Sequence, residues 1–180
     1  MLFPRAIFAS LRYVFARQTN MDQPASSSPR ISTCTKQDYD RIIKDLPEFW
    51  DGRDTRRLHH PMLIHEFGNS AFVIRDGQAI AAYLFGLISQ TAPVGYVHAV
   101  AVRPDMRRKR LGHQLLDHFA ALARGRSCTH IKAITTPSNA GSIAFHKSLG
   151  MQGEPNSAGV PVVADYAGHN EPRVVFWKAI

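Results

Sequence analysis

The chain is poor in sulfur chemistry: it has only two cysteines, Cys34 and Cys128, far apart and in neither a CxxC pair nor a zinc-ligand spacing. That argues against a cysteine-built metal site and for free thiols in a reducing compartment. No apolar run is long enough to span a bilayer, so no membrane partner is expected. Internal repeats are missing too, and so is any zinc-finger, RNA-recognition or helix-turn-helix pattern. What is present is ordinary globular usage: 180 residues, 44% hydrophobic and 20% charged, enough for one soluble domain with a substantial core.

The formal charge of +8 is unevenly spread. Residues 1–30 hold Arg5, Arg12, Arg17 and Arg30 against Asp22, a net +3, which leaves +5 for the rest. A basic protein can seek nucleic acid, but the densest cationic run here has a different use, given below, and no nucleic-acid partner is expected. The first 20 residues carry arginines and no acids, which is the character of a mitochondrial transit segment. The favoured alternative is an extension upstream of Met21 on a cytoplasmic protein. After it, "QPASSSP" has little to pack. The organisation expected is an N-terminal extension over 1–29 and one domain over 30–180.

Four consecutive cations, Arg107 to Arg110, stand where an apolar strand turns into an amphipathic helix. Bare cations oppose the positive end of a helix dipole, whereas a bound phosphate accepts from both the unpaired first-turn amides and the guanidinium groups. In the strand before them, Val97, Ala99 and Ala101 alternate with His98, Val100 and Val102, a pattern apolar on both faces and ended by Pro104. In the helix after them, Leu111, Leu115, Phe119 and Leu122 recur at helical spacing, and Gly112 allows close approach in its first turn. A second strand follows from His130, with Ile131, Ala133 and Thr135 on one face. A second helix has Asn139 as its cap and Gly150 as its stop. Asn139, Ser142 and His146 fall on one polar stripe of that helix.

Elsewhere Thr35 caps a helix marked by Tyr39, Ile42, Ile43 and Leu46 and ended by Pro47. Asp76-Gly77 signals a hairpin, making the second, third and fourth strands antiparallel neighbours. "RVVFWKAI" supplies a last strand after the long excursion "NSAGVPVVADYAGHNEP".

The segments "VAVRPDMRRKRLGHQLL" and "NAGSIAFHKSLGM", in this order with a strand between, resemble the acetyl-CoA-binding core of the GCN5-related N-acetyltransferase (GNAT) family. The resemblance implies an α/β fold with a mixed, largely antiparallel central sheet flanked by helices. It also implies acetyl-CoA as co-substrate, with no metal. The family's phosphate loop, Gln or Arg, two residues, Gly, one residue, Gly or Ala, falls on Arg107, Arg110 and Gly112, with arginine in place of the middle glycine. Donor contacts carried over are Val100, Ala101 and Val102 on the strand, Arg107, Arg108, Lys109, Arg110, Leu111, Gly112 and His113 at the helix start, and Asn139 and Ser142 on the later helix. The family's frequent tyrosine near the thioester sulfur is His146 here, the expected proton donor to the thiolate, with Tyr166 as a second acid.

The resemblance also implies that the aromatic and histidine-rich stretch before the hairpin forms one wall of the acceptor site. Trp50, Arg56, His59, His60 and His65 are its candidates. Glu66, His98 and Asp165 are all chemically suited to be the base. The expected activity is acetyl transfer to a small-molecule amine. Transfer to a protein N-terminus or lysine, and a CoA-binding sensor without turnover, are the alternatives. Dimers, frequent in the family, are left open.

Overall fold

In the computed structural model, which describes residues 30–153 and 162–180, the chain begins with a short strand, β1 (Ile31–Thr33). The segments expected over 1–29, and the first part of the long excursion, lie outside the described residues. Thr35 starts helix α1 (Lys36–Lys44) through a capping box in which the Asp38 amide donates to its hydroxyl at 3.2 Å and its own amide donates to the Asp38 carboxylate at 2.9 Å. Asp38 is buried and also accepts from Arg75 Nε at 2.9 Å, tying the helix to the sheet. Burial would raise its carboxyl, but the hydrogen bonds from Arg75 and Thr35 outweigh burial and hold it below the usual 3.8. Pro47, expected to end this helix, instead stands in the first turn of the next one, α2 (Leu46–Phe49), where its missing N–H is not needed. A further turn, α3 (Met62–His65), leads to the sheet.

The hairpin at Asp76-Gly77 joins β2 (Ala71–Asp76) to β3 (Ala79–Ile88), and β4 (Val94–Val102) follows as their antiparallel neighbour. Helix α4 (Leu111–Gly125) then crosses to β5 (His130–Thr135), which pairs parallel to β4. After α5 (Ala140–Ser148) come β6 (Gln152–Gly153), β7 (Val162–Val163) and β8 (Arg173–Ala179). The sheet runs β1-β2-β3-β4-β5-β8-β6, with β7 also on β8, and β4–β5 is its one parallel pair among the described residues. This is the mixed, largely antiparallel α/β architecture expected from the sequence.

Two cores follow from the two faces. On one, α1, α2 and α3 bury Tyr39, Ile42, Leu46, Phe49 and Leu63 against Val73, Tyr83, Phe85, Ala99 and Ala101. On the other, α4 buries Leu111, Leu115, Leu116 and Phe119 against Phe72, Leu84, Val97 and Ile131.

The simple alternation expected of β4 fails at one residue. Phe85 opposes Ala99 while Gly86 opposes Val97, so His98 is an extra, unpaired residue. The bulge switches sides: Val97 packs toward α4, whereas Ala99 and Ala101 pack toward α1.

Gly86 and Gly95 let α4 lie flat on this part of the sheet. A Cβ on Gly86 would stand 2.6 Å from Phe119 Cζ, and one on Gly95 would stand 2.8 Å from Ile131 Cδ1. Gly86→Ala is therefore expected to destabilise the protein by about 1–3 kcal/mol through overpacking. The check is a lowered urea midpoint at unchanged slope.

Candidate active site

The basic run folds as a sharp exit from β4 into α4. Arg103 anchors its start, with Nη2 donating to Asp76 at 3.0 Å and Nε to Asp105 at 2.7 Å. A single turn over Pro104–Met106 follows, and Arg107 is extended. Arg108 and Arg110 then adopt left-handed φ angles of 65° and 59°. The position where the family pattern has glycine thus keeps a glycine-like backbone despite its side chain, at a cost of about 1–2 kcal/mol. Helix α4 has no side-chain cap. Among the described residues nothing accepts from the Leu111, Gly112 or His113 amides.

The four cations differ in state. Arg107 is held by Asp51 at 3.1 Å and by the Val102 carbonyl at 3.3 Å, and Lys109 leans on the Met106 sulfur. Arg108 and Arg110 are exposed and have no carboxylate partner among the described residues. The free amides and these two guanidiniums together form a site for an anion. Gly112 has a role beyond ligand approach: a Cβ there would lie 2.7 Å from Phe145 Cζ, so it sets the packing of α4 on α5.

Pairing between β4 and β5 ends at Val97 and Ala133. Beyond it the strands part, and β4 from His98 to Val102 keeps only β3 as a ladder partner. Val100, Ala101 and Val102 therefore present one backbone edge to the fork, close to the start of α4. His98, at the bulge, donates from Nε2 to the Leu58 carbonyl at 2.8 Å, which leaves Nδ1 as the acceptor in the neutral ring.

On α5, Asn139 caps as expected, accepting from the Ser142 amide at 3.1 Å. His146 departs from expectation. It is buried, stacked on Phe176 with centroids 5.0 Å apart, and its Nδ1 donates to the Ser142 carbonyl at 2.8 Å, with the Ser142 hydroxyl 3.2 Å away. Burial pushes its pKa below the ordinary 6.5, outweighing that backbone bond. The ring is therefore neutral with a lone pair at Nε2, so it has no proton ready for a thiolate and serves to seat α5 on β8. The charged form, expected from sequence to be accessible, is disfavoured.

On the face of the sheet opposite α4, a cavity of about 410 Å³ opens along β3, β4, β5 and β8. Leu87, Tyr96, Lys132 and Trp177 stand side by side across these four strands by register and form its floor. Tyr166 and Phe67 contribute walls. The Lys132 ammonium lies 5.0 Å from the centroid of Tyr166 and 4.7 Å from that of Trp177. Burial, then the neighbouring Tyr166, push the Tyr96 phenol up to about 12, keeping it protonated. None of Trp50, Arg56, His59, His60 or His65 lines this cavity. Its walls come from Phe67, Tyr166 and the β3–β4 connection instead.

Two of those five are nevertheless structural. Trp50 Nε1 donates to Tyr83 Oη at 2.7 Å, Tyr83 donates to His59 Nε2 at 2.8 Å, and His59 Nδ1 donates to the Thr55 carbonyl at 2.8 Å. This direction is forced, because the carbonyl can only accept and the indole can only donate. Burial lowers His59 below 6.5 and raises Tyr83, so both rings in the chain stay neutral. Of the three possible bases, Glu66 and Asp165 are exposed, and only His98 lies at the fork.

Comparison with known proteins agrees with the fold. The family described as Acetyltransferase (GNAT) family matches residues 37–151. An aminoglycoside N(6')-acetyltransferase type 1 from Acinetobacter haemolyticus is 28% identical over 115 residues, which cover 58% of this chain and 78% of that protein. Among solved structures, a GNAT-family acetyltransferase from Desulfovibrio desulfuricans aligns with a TM-score of 0.68 at 13% identity, covering 84% of this chain and 99% of its own. An aminoglycoside 6'-N-acetyltransferase in complex with coenzyme A aligns with a TM-score of 0.60 at 13% identity, covering 83% and 96%.

Two expectations follow from the geometry. Arg110→Gly should relieve the left-handed strain and stabilise the fold by about 1 kcal/mol. It should also weaken CoA binding and flatten its salt dependence, read by calorimetry at two ionic strengths. The second concerns pH. His59 and His146 have lowered folded pKa values, so the unfolded chain takes up protons first on acidification. Stability should therefore be full above 6.5 and fall as pH drops through and below it. Replacing His146 with Phe should blunt that fall in melting temperature while sparing turnover at pH 8. Lost turnover at unchanged stability would restore His146 as the acid.

Proposed function

The chain belongs to the GNAT family of acetyltransferases, and on that premise we propose that it acetylates a primary amine of a small molecule, with acetyl-CoA as donor. The observation that carries this is the fork after Val97, which has an anion-binding helix start on one side and an aromatic cavity on the opposite face. The name of the Acinetobacter relative, an aminoglycoside N(6')-acetyltransferase, adds support for a small-molecule acceptor.

Acetyl-CoA fits the groups at the fork. The Leu111, Gly112 and His113 amides, with Arg108, Lys109 and Arg110, would hold its phosphates. The free edge of Val100, Ala101 and Val102 would align its extended arm, near Asn139 and Ser142 at the start of α5. When bound, it supplies an acetyl group activated as a thioester and a thiolate leaving group. In the transfer, the amine nitrogen bonds to the acetyl carbon as the C–S bond breaks. The bonding pair leaves on sulfur, and the proton lost by the amine balances the thiol formed.

An aliphatic amine must be neutral to attack, so a proton acceptor is needed at the fork. His98 suits this role, because its Nε2 proton is committed to the Leu58 carbonyl, which fixes the ring and leaves Nδ1 as the free acceptor. Backbone amides of the β4 edge serve the developing oxyanion. Tyr166, on the cavity wall, is the remaining proton donor for sulfur, since His146 is occupied in packing.

The test is thiol release from acetyl-CoA by the purified full chain against a panel of amines. Release should depend on the amine. Substituting His98 with Ala should lower kcat about 100-fold or more without changing CoA affinity. CoA binding with no release for any amine would favour the sensor, and no binding would remove the proposal.

A further inference from the structure

The cavity has a definite charge, and the charge selects among amines. Among the described residues no aspartate or glutamate lines it. Its one charged lining group is Lys132, half-buried between the Tyr166 and Trp177 rings, and no carboxylate or hydrogen-bond acceptor among the described residues pairs with it. The nearby Arg173 is satisfied by Glu171 at 2.9 Å. A second donor is unfilled as well: the indole N–H of Trp177 is buried without a partner. Buried donors without acceptors are rare in native folds. The rest of the lining is apolar or aromatic at Phe67, Leu87 and Tyr96, and neutral polar at Ser89, Gln90 and Thr91 in the β3–β4 connection.

Position adds direction to this chemistry. Lys132 pairs with Tyr96, and His98 lies two residues further along β4, a step of about 6.6 Å at strand rise. A ligand with its anion on Lys132 would thus lie along the strand with its other end at the fork. An aminoglycoside carries several ammonium groups at neutral pH. In this cavity it would meet a like charge and find no counter-charge, on a chain whose net charge is already +8.

Building on the acetyl-transfer proposal above, we infer that the acceptor is a primary amine that also carries a carboxylate and an apolar or aromatic body, with Lys132 as the residue that selects it. The carboxylate forms a charge-assisted hydrogen bond with the Lys132 ammonium, the body lies on the aromatic row, and the amine points to His98. Selection acts through the acceptor alone, because Lys132 is on the opposite face from the start of α4.

The test compares kcat/KM for phenylalanine and methionine with that for their amides, and with spermidine and kanamycin, in wild type, Lys132→Gln and Lys132→Glu. The free carboxylates should be preferred about tenfold or more. Lys132→Gln should erase the preference and Lys132→Glu should invert it toward the amides and polycations, with the acetyl-CoA dissociation constant unchanged in both variants. A separate calorimetric titration of the CoA complex with N-acetylphenylalanine, the product, should give saturable binding that Lys132→Gln weakens about tenfold and that N-acetylphenylalaninamide lacks. Preference for kanamycin or spermidine in wild type, a preference insensitive to Lys132, or product binding indifferent to its carboxylate would each overturn the inference. Failure of acetyl transfer itself is distinguishable: no amine would release thiol, while the product carboxylate would still bind through Lys132.

Discussion

An antiparallel ladder in which Phe85 faces Ala99 and Gly86 faces Val97 has to leave His98 without a partner, and most of the site depends on that surplus residue. It turns the side chains of β4 over, so that Val97 serves the α4 core while Ala99 and Ala101 serve the other. The parting of β4 from β5 begins at the same point, after Val97 and Ala133. Backbone groups of a central strand are normally consumed by neighbours on both sides. Here one edge is kept free inside the sheet, next to a helix start with uncapped amides. Bulges are frequent beside active sites because they redirect a strand without breaking the core around it.

Electrostatics divides the two faces. At the start of α4, a helix dipole, free amides and the guanidiniums of Arg108 and Arg110, which have no carboxylate partner among the described residues, favour a polyanion. The left-handed backbone at Arg108 and Arg110 is a local cost carried by a rigid surround, as strained residues at functional sites commonly are. On the other side, the cavity has an aromatic floor with Lys132 as its one charged group among the described residues, and the Trp50–Tyr83–His59 chain is hydrogen-bonded throughout, with His59 and Tyr83 buried. That chain stiffens the α2 region against β3 and leaves Lys132 to set the sign of the cavity.

Local signals in the sequence carried much of this. Caps at Thr35 and Asn139, the Asp76-Gly77 turn and the basic entry to α4 each depend on residues within a few positions of one another, and each formed as expected. What escaped depends on distant pairing. Nothing near His98 marks it as the extra residue, because the bulge is defined against Phe85 and Gly86. The stripe of Asn139, Ser142 and His146 was correct as helical geometry, yet His146 is buried because Phe176, thirty residues on, covers it. Tyr96, Lys132 and Trp177 form one row only once β4, β5 and β8 are aligned. A partial hint was present: with Ile131, Ala133 and Thr135 on the core face, Lys132 had to face the other way.

That row has a consequence for divergence. Each of its members is a side chain on a different strand, and each backbone position is fixed by ladder bonds that do not depend on which side chain it bears. The floor can therefore be rewritten one strand at a time, with the basic loop before α4 and the seam of α4 on the sheet left intact. On the proposed assignment, a scaffold arranged in this way separates what it accepts from how it is charged with its acyl group, so new acceptors can be acquired by drift at a few positions without rebuilding the donor side.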